Sequence, residues 1–265
     1  MSTSATETKK KAVRIRQVPA VSRSIAILRL LGHAKDGMGV KAIADELQLV
    51  PSTCLHILRV LVSEDLVRIE PGTKKYTLSA GMISLAKSVL ANGGFTQLVQ
   101  PALDRLAASY SVTAMGVEIT SGQGVVVLAI SKSNQPFRLH TDVGSKFDNL
   151  VSATGRIIAA HNGENWAQLR KRFASIQWDK APTFDAWKKD VEAARTKGWA
   201  IDRDNFVSGM TVIAVPIFNE RGRLTHTVVV AGLSSHLPPQ AIPDIVESMK
   251  KEAQSIEGVM APKEP

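Results

Sequence analysis

Four polar residues in the stretch VPSTCLHILRVLVS (50–63) recur at helical spacing. They are Ser52, His56, Arg59 and Ser63, separated by four, three and four positions. On an α-helix they share one face and present hydroxyl, imidazole and guanidinium groups. Leu55, Leu58 and Val62, widened by Ile57 and Leu61, form the opposite, apolar face. Pro51 suits the first helical turn, and Ser52 can accept orphan backbone N–H groups there. Such a helix can bury its greasy side and expose a reading surface of hydrogen-bonding groups. Any amphipathic surface helix shows the same pattern, so the neighbouring elements have to decide.

A second stretch with chemical potential is Ser152-Ala153-Thr154-Gly155, followed by Arg156 and Ile157. Small residues at a helix start leave backbone N–H groups accessible, which suits a carboxylate. An ordinary N-cap reads the same way. Catalysis finds little support. There is no glycine-rich nucleotide loop and no GxSxG elbow. The histidines at 33, 56, 140, 161, 226 and 236 show no HxxxH-type ligand spacing, so no metal and no cofactor is expected. Asp202 and Asp204 would share a strand face without a partner base, and Ser152 with His140 lacks an oriented base. The single cysteine, Cys54, excludes an intramolecular disulfide and reads as a small buried filler.

The elements that must carry these residues are legible in order. The chain has 265 residues, 44% of them hydrophobic, enough for two domains. No apolar run approaches a membrane span, and the N-terminus is polar and basic, so a soluble cytoplasmic protein is expected. Residues 1–80 hold thirteen Lys/Arg against seven Asp/Glu, so +6 of the net +9 sits in less than a third of the chain. Concentrated basic charge suggests a polyanion, DNA or RNA before membrane.

Residues 1–19 read as a disordered basic arm. Ser22 caps a helix to about Lys35 with Ile25, Leu28 and Leu31 inward. Val40–Leu47 is a second helix, Gln48–Val50 a tight connection, and 50–63 the third. That is helix-turn-helix order. Leu66–Glu70 and Lys75–Leu78 are strands joined by Glu70-Pro71-Gly72-Thr73, the chemistry of a type II turn. A basic hairpin in this place is a wing, set to touch phosphate or the minor groove.

Residues 79–92 form a helix with one charge, Lys87, and two apolar stripes; it reads as a dimerising linker helix ended by Asn92-Gly93-Gly94. Beyond Phe95 come a helix at Pro101–Tyr110 and strands at Thr113–Thr120, Val125–Ser131 (after the Ser121-Gly122-Gln123-Gly124 turn) and Phe137–Val143. Helices follow at Ser152–His161, Glu164–Phe173 and Phe184–Lys197. Strands return at Trp199–Arg203, Met210–Phe218 and Thr225–Leu233, and Pro238–Val259 is a closing helix. Grouped strands indicate an α+β domain with a mostly antiparallel sheet.

This order resembles the IclR family of bacterial transcriptional regulators. The matching pieces are VSRSIAILRLL, KAIADELQLVPSTCLHILRVL, KYTLSAGMISLA, LVSATGRIIAA and GWAIDRDNFVSGMTVIAVPIFNERGR, running in order from about residue 20 to 233. The resemblance implies a homodimer or dimer of dimers, without membrane attachment, that binds double-stranded operator DNA. It implies a GAF-like C-terminal domain that binds a small organic-acid effector and changes operator binding. The domains expected are a winged helix-turn-helix at 20–80, a linker helix at 81–94 and a GAF-like domain at 95–261. The alternative is a GAF-like binding or catalytic domain with an accessory nucleic-acid module.

On the DNA side the candidates are Ser52, Thr53, His56 and Arg59 of the third helix, with Ser22, Arg23 and Lys41 on phosphate and Lys74, Lys75 and Tyr76 from the wing. The family most often has Arg where this chain has His56, and His offers guanine fewer donors. On the effector side the family places Ser152, Ala153, Thr154, Gly155, Asp202, Asn205, Val212, Val229 and Ala231 around the pocket, with Met115, Leu128 and Leu150 as apolar wall. The family often has Glu at Asn205, Cys at Val212 and Ser at Val229 and Ala231. Loss of these polar groups implies a larger, more apolar acid than glyoxylate or pyruvate, such as an aromatic carboxylate.

Overall fold

The computed structural model describes residues 18–91, 94–120, 124–132 and 141–260. The basic arm 1–17, the turn 121–123, the helix end at Asn92-Gly93 and most of the strand expected at 137–143 lie outside them; the remainder of that strand, 141–143, is not extended into a sheet. The chain divides into two compact units, residues 1–92 and 93–265.

In the first unit, helix α1 spans Pro19–His33, α2 Val40–Glu46 and α3 Pro51–Ser63. Both α1 and α3 carry proline in the first turn, where the missing N–H costs nothing. Two expected caps are therefore misplaced. Val18 and Val50 hold the N-cap positions without a side-chain bond, and Ser22 and Ser52 lie inside their helices. The core closes around Ile27, Leu31, Ile43, Cys54, Leu58, Leu61 and Val67. The buried stripe of α1 runs through Ile27 and Leu31 with Leu28 packed beside it, and Ile25 is exposed. Between α2 and α3 the chain reverses through Gln48 at φ 53°, with Leu49 N–H donating to Ala44 O at 2.8 Å.

The wing pairs β1 (Val67–Ile69) antiparallel with β2 (Tyr76–Leu78). Its tip is not the expected type II turn. Lys74 N–H donates to Glu70 O, an i to i+4 closure, and the positive φ (55°) falls on Lys74 rather than on Gly72. Helix α4 (Gly81–Ala91) follows. A Cβ at Gly81 would stand 2.2 Å from Asp65 O, and Ser79 Oγ donates to Asp65 Oδ1 at 2.7 Å. The start of α4 is thereby pressed onto the turn that ends α3.

The second unit is a six-stranded sheet in the order β5-β4-β3-β8-β7-β6, every neighbouring pair antiparallel. Its strands are β3 (Thr113–Ile119), β4 (Gly124–Ser131), β5 (Lys146–Asp148), β6 (Ala200–Arg203), β7 (Met210–Phe218) and β8 (Leu224–Leu233). Helices α5 (Gly94–Tyr110) and α9 (Ile242–Met260) cover one face. Helices α6 (Ser152–His161), α7 (Trp166–Phe173) and α8 (Phe184–Lys197) cover the other. Period-2 alternation divides the strands cleanly: Ile213, Val215, Val228 and Val230 face α5 and α9, while Ala214 and Val229 face α6. The expected α+β architecture is present. Strand β5 escapes sequence reading because it has three residues and two of them are exposed.

Candidate functional site

The polar face of α3 is laid out as its spacing predicts. Ser52, His56, Arg59 and Ser63 are exposed, Thr53 is half-buried, and Cys54, Leu58 and Leu61 form the buried side. Burial raises the Cys54 thiol above its ordinary pKa, which suits a packing role. Ser22, Arg23 and Lys41 are exposed on α1 and α2, Lys74 is exposed at the wing tip, and Lys75 is half-buried. Tyr76 departs from expectation. It is 6% exposed within the core of the winged unit, and its backbone pairs with Met38. The ring supports the wing from beneath and is unavailable to DNA. Arg68, which the sequence did not single out, is exposed on β1 with Nε donating to Thr77 Oγ1 at 3.1 Å. A basic residue alternating outward on a wing strand is the signal that would have found it.

The second unit holds a cavity of about 190 Å³ on the α6 face of the sheet. Its floor is valine and methionine from four strands: Val125 and Val127 of β4, Met115 and Val117 of β3, Val229 of β8 and Val212 of β7. Phe147 of β5, and Phe206 and Val207 from the β6–β7 connection, complete the apolar wall. Phe206 in turn meets Trp178 edge-on, joining the wall to the aromatic cluster of α7 and α8. Ser152, Thr154, Asp202 and Thr141 supply the polar lining, Ser152 and Asp202 being joined through Arg156.

Six of the twelve expected effector residues line it: Met115, Ser152, Thr154, Asp202, Val212 and Val229. The other six do not, each for a physical reason. Leu128 is the extra residue of a β-bulge, since Gly116 pairs with Ala129 but Val117 with Val127. Coming directly after cavity-facing Val127, Leu128 points towards α5 and α9, on the far face, and the bulge puts Ala129 on that face as well. Leu150, Ala153 and Ala231 are buried in the core around the cavity without reaching it. Gly155 faces the chain below, where a Cβ would meet Leu150 O at 2.1 Å. Asn205 turns to Arg156, accepting from Nη2 at 3.0 Å. Phe147, Phe206 and Val207 were missed because they sit on a short strand and a connection; the adjacent apolar pair at 206–207 between two strands was the available signal.

The polar end is built around Arg156, which is 1% exposed. Its Nε donates to Asp190 Oδ2 at 3.2 Å and its Nη1 to Ser152 O at 3.0 Å. Nη1 also lies 3.2 Å from Asp202 Oδ2. Asp202 Oδ1 accepts from Asn205 N–H at 3.1 Å. The guanidinium is thus committed to protein partners behind the cavity wall. Ser152 stands at φ 58°, a left-handed conformation that costs a serine about 1 kcal/mol. Its hydroxyl is buried without a hydrogen-bond partner among the described residues, and so is Asp202 Oδ2. The N–H groups of Ser152, Ala153 and Thr154 likewise have no acceptor there, whereas Gly155 N–H returns to Val151 O at 2.8 Å.

Two family models match this chain. One, described as bacterial transcriptional regulator IclR C-terminal, covers residues 87–258; the other, the IclR helix-turn-helix domain, covers residues 20–71. The chain belongs to the IclR family. This is a family of transcriptional regulators, not of enzymes, and its helix-turn-helix is a DNA-binding module. Among its relatives is the glycerol operon regulatory protein of Streptomyces griseus, 27% identical over 86% of this chain and 90% of that protein. The transcriptional repressor AllR of Escherichia coli is 24% identical over 82% of this chain and 81% of its own length. The IclR-type crystal structure from Alicyclobacillus acidocaldarius superposes with a TM-score of 0.77 at 22% identity, covering 92% of this chain and 99% of that one. The Thermotoga maritima structure gives 0.70 at 19%, covering 93% and 100%. At these identities the structures speak for the fold. No helix among the described residues is long and apolar enough to cross a membrane.

Proposed function

We propose that this IclR-family chain is an effector-responsive regulator whose second unit binds a small, fairly apolar organic acid and thereby changes operator binding by the first. The observation that carries the reading is the cavity itself: an apolar floor and walls with polar groups gathered at one end, under the start of α6. That combination suits a ligand with a greasy body and one polar head. An engineered apolar cavity of about 150 Å³ takes benzene, so one of about 190 Å³ takes a ring-sized body with a small head. Glyoxylate or pyruvate would leave most of the valine wall unfilled. On the first unit, Ser52, Thr53, His56 and Arg59 read base edges or adjacent phosphates, while Ser22, Arg23, Lys41, Lys74, Lys75 and Arg68 anchor the backbone. The chain acts as a homodimer or dimer of dimers, with α4 contributing apolar surface. A thermal-shift screen of small acids, followed by a mobility shift on the DNA upstream of its own gene, tests the reading. A stabilising acid should also change the shift; an acid that stabilises the protein yet leaves DNA binding unaltered at saturation would overturn the coupling.

A further inference from the structure

We infer that the effector carries a hydrogen-bond donor, a hydroxyl beside its carboxylate, and that Asp202 is the group that selects it. The inference rests on the acid-sensing reading above and narrows it. The polar end of the cavity offers two opposite kinds of partner. The N–H groups of Ser152 and Thr154, which both line the cavity, have no acceptor among the described residues at the start of a ten-residue helix, which suits a carboxylate. Asp202, which also lines the cavity, is 2% exposed, and its Oδ2 has no hydrogen-bond donor among the described residues. Arg156 Nη1 is 3.2 Å from that oxygen but outside hydrogen-bond geometry, so the ion pair balances its charge and leaves lone pairs unused. The same Nη1 is 3.0 Å from Ser152 O, so one guanidinium nitrogen spans Asp202 and the first residue of α6. A compact head group can therefore reach both.

A bare carboxylate satisfies the open N–H groups but brings only lone pairs towards Asp202 Oδ2. It leaves that buried oxygen without a donor and places like charges side by side, both unfavourable for a group as buried as Asp202. A 2-hydroxy acid resolves both. Its carboxylate takes the helix N–H groups and its hydroxyl donates to Asp202 Oδ2. The Ser152 hydroxyl, also buried and unpartnered, can donate to the carboxylate. The apolar remainder of the molecule lies over Val125, Val127 and Val229.

The test uses the full chain and three matched probes: mandelate, phenylacetate, which lacks the hydroxyl, and O-methylmandelate, which keeps the oxygen but not the donor. By calorimetry mandelate should bind about ten-fold or more tighter than either of the others, the discrimination expected when a hydrogen bond to a charged group is lost. In Asp202→Asn, whose fold is checked by circular dichroism, that preference should shrink severalfold, with phenylacetate binding tightened because the like charge beside its carboxylate is gone. Equal binding of all three, or tighter binding of the ether, overturns the donor inference and leaves the acid-sensing reading standing. Binding of 2-phenylethanol in preference to every acid overturns the acid reading itself. Absence of binding by all four at millimolar concentration overturns both.

Discussion

Arg59 and His226 show how differently two basic side chains act on this molecule. Arg59 is exposed on the polar face of α3. Arg59→Ala should weaken operator binding about ten-fold and lower the slope of log affinity against log salt by about 1. A salt-titrated mobility shift reads both, and unchanged values would remove Arg59 from the interface. His226 is instead stacked on Phe95 with ring centroids 3.9 Å apart, its Nδ1 3.0 Å from Thr225 Oγ1 and Glu118 opposite it on β3. Burial lowers its pKa from 6.5 to about 4. The folded state thus holds the neutral ring while the unfolded chain binds a proton, so stability is full above pH 6.5 and falls as pH drops towards 4. The loss is roughly 3 kcal/mol. Urea denaturation between pH 7 and pH 4 should show it, and His226→Gln should flatten the profile by most of that amount. Neither role is visible in residue type alone. Tyr76 teaches the same lesson, since a wing tyrosine reads as a DNA contact until the Met38 bridge buries it.

Helices and strands were legible where periodicity runs long, and obscure where tertiary contact overrides it. The bounds of α6, α8 and β7 follow from the sequence because each buries a regular stripe between clear breakers. The floor of the cavity was legible in part, since Met115, Val212 and Val229 obey strand alternation. Leu128 does not, since it directly follows cavity-facing Val127 and is itself the extra residue of the bulge, so it lies on the opposite face. Gly155 is the clearest case of a role hidden from pattern reading. The SATG stretch suggests a glycine kept small for a ligand, but its missing Cβ makes room for the Leu150 carbonyl, which would stand 2.1 Å away. The backbone, not an effector, demands glycine here. Gly155→Ala should therefore destabilise the second unit by about 3 kcal/mol or more, because a rigid carbonyl has no room to give. Thermal denaturation without ligand checks this. A loss of effector binding with unchanged stability would instead return Gly155 to the cavity wall.

At the scale of the whole molecule, the question is how a unit with one reading helix gains enough DNA contact. A single small module buries little surface on a groove, and helix-turn-helix proteins commonly double it by binding two half-sites as a dimer. Helix α4 is the element suited to that. Its sequence, GMISLAKSVLA, carries one charge, its start is fixed to the winged unit at Asp65, and Ile83 is 67% exposed. An isoleucine so placed on an apolar helix is costly to leave in water and gains by covering against a second copy. Ile83→Glu should therefore shift sedimentation equilibrium towards smaller species. It should weaken binding to a two-half-site operator far more than binding to an isolated half-site, because only the former needs the dimer. The fold of each unit should survive, since Ile83 lies outside the winged core. An unchanged mass distribution together with unchanged operator affinity would assign the pairing of subunits to a surface other than α4.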